Sequence, residues 1–89
     1  MKYREKRIVV EAVKWDGNLI SEVPEWISTA LKLSPNTPGA IMRMASVIHI
    51  FTKNGILIAY PDDYIVRNLG GEIYPVPSSF FESTYEKAE

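Results

Sequence analysis

Few side chains in this chain have the chemistry to do more than pack: one imidazole, two adjacent carboxylates, a glycine pair and a group of tyrosines around an arginine. His49 is the sole histidine, and beside Tyr60 it could serve as a general base, a metal ligand or a pH-sensitive contact. A single imidazole with no cysteine and no acidic ligand pattern nearby carries none of these roles alone, so a structural or surface histidine is the simpler reading. Asp62 and Asp63 could bind a metal or act as acid and base, but adjacent side chains diverge and no third ligand follows them. Pro61 presets a turn just before them, and both carboxylates can hydrogen-bond the local backbone there. Gly70 and Gly71 would let a phosphate approach the main chain, yet no helix follows to complete a phosphate loop, and the pair reads as a tight turn.

What remains is Tyr60, Tyr64, Arg67 and Tyr74, an aromatic and cationic set suited to stacking on a ring and contacting a phosphate. With His49 these residues form the candidate ligand-binding group. Ordinary strand tyrosines with hydroxyls at a sheet rim account for the same residues. No nucleophile-and-base constellation stands out, so no catalytic residue, metal or cofactor is assigned and a non-enzymatic protein is expected. His49, Asp62, Asp63 and Glu72 are the positions where an enzymatic role would be sought.

Composition sets the frame for these residues. At 89 residues the chain is expected to form one domain, 1–89, and to bury roughly 60 to 65% of its unfolded surface. Hydrophobic residues are 46% and charged residues 24%, which excludes wholesale disorder. Ten basic residues against eleven acidic leave a net charge of −1, so general nucleic-acid binding is disfavoured. The cluster Lys2, Arg4, Lys6 and Arg7 is interrupted by Glu5 and reads as a solvated arm. Without cysteine there is no disulfide, thiolate metal site or cysteine nucleophile. No apolar run approaches the ~20 residues that span a bilayer, and the N-terminus lacks a signal-peptide core, so a cytoplasmic protein with no membrane contact is expected.

The elements that must position the candidate residues can be read in order. Ile8 to Trp15 is a β-branched, aromatic run with both faces apolar, expected to be an interior strand. Glu11 lies on it as a rim or ion-paired carboxylate. Leu19 or Ile20, Val23, Trp26 or Ile27, and Ala30 or Leu31 mark an amphipathic helix, which Pro24 allows to start as late as Val23. Trp26 has the ring for ligand stacking but belongs to a core stripe. Lys32 to Gly39 is a loop whose default role is a spacer. Ile41 to Thr52 alternates as one strand, and Asn54-Gly55 predicts a two-residue hairpin loop. In that register Lys53 faces Ile56, Phe51 faces Ile58 and His49 faces Tyr60, so Val47, His49, Phe51, Ile58 and Tyr60 share a face. Tyr64 to Arg67 and Glu72 to Val76 are two more strands, the last an edge because Pro75 and Pro77 cannot donate to a ladder. Ser79 and Glu82 predict a capping box opening a short helical turn, with an extended return at Thr84 and Tyr85 and fraying from Glu86. The predicted fold is α+β: a small, mainly antiparallel sheet of about five strands, one amphipathic helix packed on it and a short C-terminal helical turn.

Both ends of the chain resemble a family of small bacteriophage and prophage proteins. Met1 through Trp15 matches the family's Met-Lys-Tyr-Arg start and its Glu-Ala-Val-x-Trp end. Toward the C-terminus, Pro61, Asp63, Tyr64, Gly71, Glu72, Tyr74, Pro75, Pro77, Phe81, Thr84, Tyr85 and Glu86 fall in its pattern. The chain departs at Arg7, where the family has proline, at Asp62 and Asn68, where it has glycine, at Gly70, where it has lysine, and at Val76, where it has cysteine. The last departure removes thiol chemistry. The resemblance implies phage origin and carries over no catalytic residue. Small phage accessory proteins disarm host defences, in part by sequestering nucleotide signals, and others act in regulation or virion assembly. Two readings follow: a homo-oligomeric binding protein that captures a small nucleotide-like ligand or a host protein, and a structural or regulatory protein that acts through a protein surface.

Overall fold

The computed structural model describes residues 1–3, 9–17 and 23–86. The basic positions 4, 6 and 7, the strand start at Ile8, the helix start at Leu19 or Ile20 and the last three residues lie outside them. The described residues form β1 (Glu11–Lys14), α1 (Glu25–Lys32), β2 (Ile41–Met44), β3 (Val47–Thr52), β4 (Gly55–Ala59), β5 (Tyr64–Arg67), β6 (Ile73–Val76) and α2 (Ser78–Thr84). The fold is α+β, with its six strands in two antiparallel sheets, ordered β1-β5-β6 and β2-β3-β4. Among the described residues, no helix is long and apolar enough to cross a membrane.

The structure corrects the expected strand plan in three places. β1 is an edge strand, and β5 is the interior one. The apolar residues on both faces of β1 report layers above and below the sheet, not neighbours on either side. The stretch 41–52 is a hairpin instead of one strand, because the chain reverses at Ala45, whose φ is +54°. Ala45-Ser46 carries no glycine, proline or asparagine to announce a turn. One tertiary and one local contact hold it: the Trp15 indole donates to the Ser46 carbonyl at 2.8 Å, and Arg43 Nε donates to the Ala45 carbonyl at 3.0 Å. The β3–β4 loop is Lys53-Asn54, with Thr52 paired to Gly55, Phe51 to Ile56 and His49 to Ile58. Positive φ falls on Gly55 and not on Asn54, as in a type I turn followed by a glycine. The Thr52 hydroxyl donates to the Gly55 carbonyl and accepts from the Asn54 amide, closing that turn. The register is thus displaced by two residues, and an even displacement leaves the predicted face intact.

Both helices start at prolines. The Pro24 carbonyl accepts from the Ile27 and Ser28 amides, and Glu25 and Lys32 complement the dipole at the two ends of α1. The expected capping box of α2 is absent: Pro77 holds the cap position with no side-chain hydrogen bond. The helix begins at Ser78, two residues earlier than a Ser79 cap requires, and Glu82 turns toward the first sheet instead. Tyr85 returns to extended backbone as predicted.

The core lies between the two sheets and α1. Val13, Ile65 and Ile73 of the first sheet face Ile41, Ile48, Ile50 and Ala59 of the second, with Ile27 and Ala30 of α1 completing the cluster. Trp15 sits in it at 3% exposure and ties both sheets together. Its indole reaches the β2–β3 turn, and its backbone bonds Asp62 and Asp63 beyond β4.

Candidate functional site

The pairing register sorts the residues of the first sheet onto two faces. Tyr64, Val66, Tyr74 and Val76 share one face, while Ile65, Arg67, Ile73 and Pro75 share the other. The predicted trio Tyr64, Arg67 and Tyr74 is therefore split, since Arg67 lies three residues from Tyr64 and opposite Ile73 in the register. The separation is odd, and side chains alternate.

α2 occupies the tyrosine face. The Tyr64 ring stacks on Phe81 at 4.0 Å, and Phe81 stacks on Tyr85 at 4.7 Å. The Tyr64 hydroxyl donates to Glu82 at 3.0 Å, and Lys14 approaches the same carboxylate at 3.8 Å. That hydrogen bond to Glu82, then burial and the negative charge of Glu82, raise the Tyr64 pKa. Burial raises that of Tyr74, followed by the neighbouring Tyr85 and the charge of Glu72. Both rings are engaged within the fold.

On the opposite face Arg67 donates to Glu11 across the β1–β5 pair at 3.0 Å. This ion pair is the structural role expected for Glu11. It borders a cleft of about 570 Å³ walled by Pro24, Trp26, Thr29 and Leu33 of the helix side and Ile73 of the sheet. A second cleft of about 520 Å³ runs between the tips of the β3–β4 and β5–β6 hairpins. Lys53 and Asn54 form one bank and Asn68 to Glu72 the other, with Leu57, Ile73 and Tyr74 among its lining residues. Asn68 Oδ1 accepts from the Glu72 amide and Asn68 Nδ2 donates to the Glu72 carboxylate, so these polar groups already hold the turn in which Gly71 takes φ +84°. Gly70 does not use positive φ. The Asp63 carboxylate is equally committed, its Oδ2 accepting from the Tyr60 amide at 2.9 Å, while Asp62 enters the turn through its backbone, with φ +77° and its amide donating to the Trp15 carbonyl. Among the described residues, no group of three or more His, Cys, Asp and Glu side chains could hold a metal ion.

His49 and Tyr60 belong to the second sheet, on the face turned away from the core. Its rows are Met44 beside Val47, Met42 beside His49 beside Ile58, and Phe51 beside Ile56, with Tyr60 continuing the alternation past β4. Phe51 is buried, but Met44 is 49% exposed, Ile56 51%, Ile58 37% and Tyr60 57%. His49 Nδ1, near the middle, is buried without a hydrogen-bond partner. No side chain in these rows is an acid, a lysine or an arginine. Met42, Met44 and Ile56 were not singled out by sequence reasoning. The available signal was that β3 and β4 are apolar on both faces while the chain supplies one substantial helix, which can cover only one layer.

No known protein family, curated protein or solved structure matches the chain.

Proposed function

We propose that this chain is a non-enzymatic binding protein that works by docking the outer face of its second sheet against another protein chain. The observation that carries this reading is the uncharged apolar exposure of Met44 on β2, of Ile56 and Ile58 on β4 and of Tyr60 just beyond it, on either side of a β3 row in which Val47 and His49 are half-buried and Phe51 is buried. Isolated exposed apolar side chains are ordinary on a protein surface, but a continuous patch on a sheet face marks an interaction surface. Completing the burial of a half-exposed aliphatic side chain is favourable by about 1 kcal/mol, so four such residues supply a useful driving force before association entropy is subtracted. Neither this mode of action nor the resemblance to phage accessory proteins asks any residue to make or break a bond. Together they fit a structural or regulatory role in the cytoplasm of an infected or lysogenic bacterium. Lysine at Ile56 or Ile58 should abolish association while the far-ultraviolet circular dichroism stays that of the parent. Association retained by both variants would remove the reading.

A second reading is favoured by the first cleft, which Trp26 of α1 and Arg67 of β5 both line. A planar anion, such as a nucleotide-like signal, could stack on the indole while its phosphate replaces Glu11 on Arg67. Calorimetry and thermal shift against cyclic and linear nucleotides test this, with Arg67→Ala as control. Absence of heat and of any shift across the panel removes the nucleotide reading.

A further inference from the structure

We propose that the free edge of β4 takes up an extended, uncharged apolar strand of a partner protein, which pairs with it main chain to main chain and lengthens the second sheet. The inference rests on the reading of this sheet as a protein-docking element, and it names the edge, not only the face, as the point of attachment.

Backbone direction carries it. The Phe51 amide donates to the Ala40 carbonyl and the Phe51 carbonyl accepts from the Gly39 amide, both at 2.9 Å, so Phe51 turns its peptide groups toward the β2 side of β3. Peptide groups alternate along a strand, and Ile50 and Thr52 therefore turn theirs toward β4, where they oppose Leu57 and Gly55. Phe51 with Ile56, and His49 with Ile58, are then non-hydrogen-bonded pairs. The amides and carbonyls of Ile56 and Ile58 consequently point away from the sheet, and among the described residues none of them has a partner. Ile56, Leu57 and Ile58 are all exposed, and the strand stays open as far as Ala59, which is fully buried.

The other edges of the described sheets are guarded. Charged side chains and prolines are the usual means by which an edge strand resists a foreign one. β1 carries Glu11 and Lys14, β2 carries Arg43 and β6 carries Pro75, whereas β4 carries neither a charge nor a proline. The spacing of the free groups also fixes what can satisfy them. Donors and acceptors repeating every second residue in a line are matched by the main chain of another strand, not by a helix, whose main chain bonds itself. Side chains of the incoming strand alternate between the row of Ile56 and Ile58 and the side of Leu57, where the second cleft opens toward Ile73. β4 has no charge to pair with one on its partner, which makes the favoured segment uncharged and apolar.

The probe is a capped peptide of sequence Gly-Ile-Leu-Ile-Ala, flanked by lysines for solubility and labelled for fluorescence anisotropy against the full chain. Binding should saturate. N-methylation of its apolar residues removes donors without removing side chains and should weaken it at least about tenfold. Ile58→Pro removes an outward amide and spares the β3–β4 hydrogen bonds, so it should keep the far-ultraviolet circular dichroism of the parent and weaken the peptide to a similar degree. Phe80→Lys, exposed on α2, should leave binding unchanged. If Ile58→Pro does not fold, N-methylation decides alone. Binding that survives N-methylation but is lost in Ile58→Lys overturns edge pairing and leaves docking through the face in place. Absence of saturable binding up to about millimolar peptide overturns the edge proposal, while the docking reading is judged separately by Ile56→Lys and Ile58→Lys. A parent that dimerises in sedimentation equilibrium, with Ile58→Pro separating the dimer, gives the edge to a second copy and overturns the foreign strand.

Discussion

The two sheets each have three antiparallel strands and one face on the common core, but they differ in what lies on the other face. Over the first sheet, α2 lays Phe81 and Tyr85 in a stack with Tyr64, and Val66 and Val76 beneath this layer are 0% and 7% exposed. On the outer face of the second sheet the equivalent positions Ile56 and Ile58 stay open to solvent, while Phe51 on the same face is buried. The rich aromatic and ionic inventory of the first sheet is thus spent internally, in stacks, in the Glu82 hydrogen bond and in the Glu11–Arg67 pair. The plainer second sheet, with methionine, valine and isoleucine, is the one that keeps a surface to offer. Of the candidate residues chosen for chemical interest, Tyr64, Arg67 and Tyr74 gather where the fold completes itself, while His49 and Tyr60 lie with the second sheet. Residues that looked like core form the interaction face.

The sharpest way to break this comparison is to place one cation on each outer face. Val66→Lys buries an unpaired ammonium under the aromatic layer and should cost roughly 3 to 5 kcal/mol, enough to unfold much of the population of a small domain. Ile58→Lys places the same group on the open face and should change stability by only about 0.5 kcal/mol. Urea denaturation of the two variants reads the difference directly. Equal losses would show that the second sheet is covered after all.

Removing the cover itself should have an intermediate effect. Phe81→Ala takes away the ring between Tyr64 and Tyr85, and the lost burial and stacking should lower stability by about 2 kcal/mol, with a reduced near-ultraviolet signal from the tyrosines. His49→Leu acts on the open sheet in the opposite sense. It replaces an imidazole whose Nδ1 is buried and unpartnered with an aliphatic group, and should raise the unfolding free energy by about 1 kcal/mol.

The smallest effect is a pH dependence belonging to the covered sheet alone. Tyr64 and Tyr74 have raised pKa values in the folded chain, so the folded state retains its phenol protons to higher pH than the unfolded state does. The associated stability is fully present below the ordinary tyrosine value of about 10 and is lost as pH rises through the raised folded values. Denaturant midpoints should fall on the alkaline side of about pH 10. Glu82→Gln should reduce that fall by removing the largest cause acting on Tyr64. An unaltered alkaline slope in Glu82→Gln would sever the link between α2 and the sheet.

Much of the secondary structure was legible because it is locally encoded. Proline at 24 bounded α1, Pro75 and Pro77 marked β6 as an edge, and strict alternation kept Val47, His49, Phe51 and Ile58 on one face despite a register displaced by two. The β2–β3 turn was not legible, because its residues carry no turn signal and the Trp15 indole, from a distant part of the chain, bonds the Ser46 carbonyl beside Ala45. The candidate site was legible as a set of residue types and not as a place: Tyr64 and Arg67 lie within four residues of each other in sequence yet on opposite sides of a sheet.

Sequence alone therefore determined the α+β class, the positions of most elements and the structural duty of Asp63 and Glu11, since propensity, turn chemistry and side-chain period act over a few residues. The tertiary structure decided that the described strands form two sheets, that β5 and not β1 is interior, and that α2 covers one outer face while Ile56 and Ile58 stay exposed on the other. Those are questions of which layer lies over which. Local sequence records that a face is apolar, but the partner that buries it is chosen by packing between segments far apart in the chain.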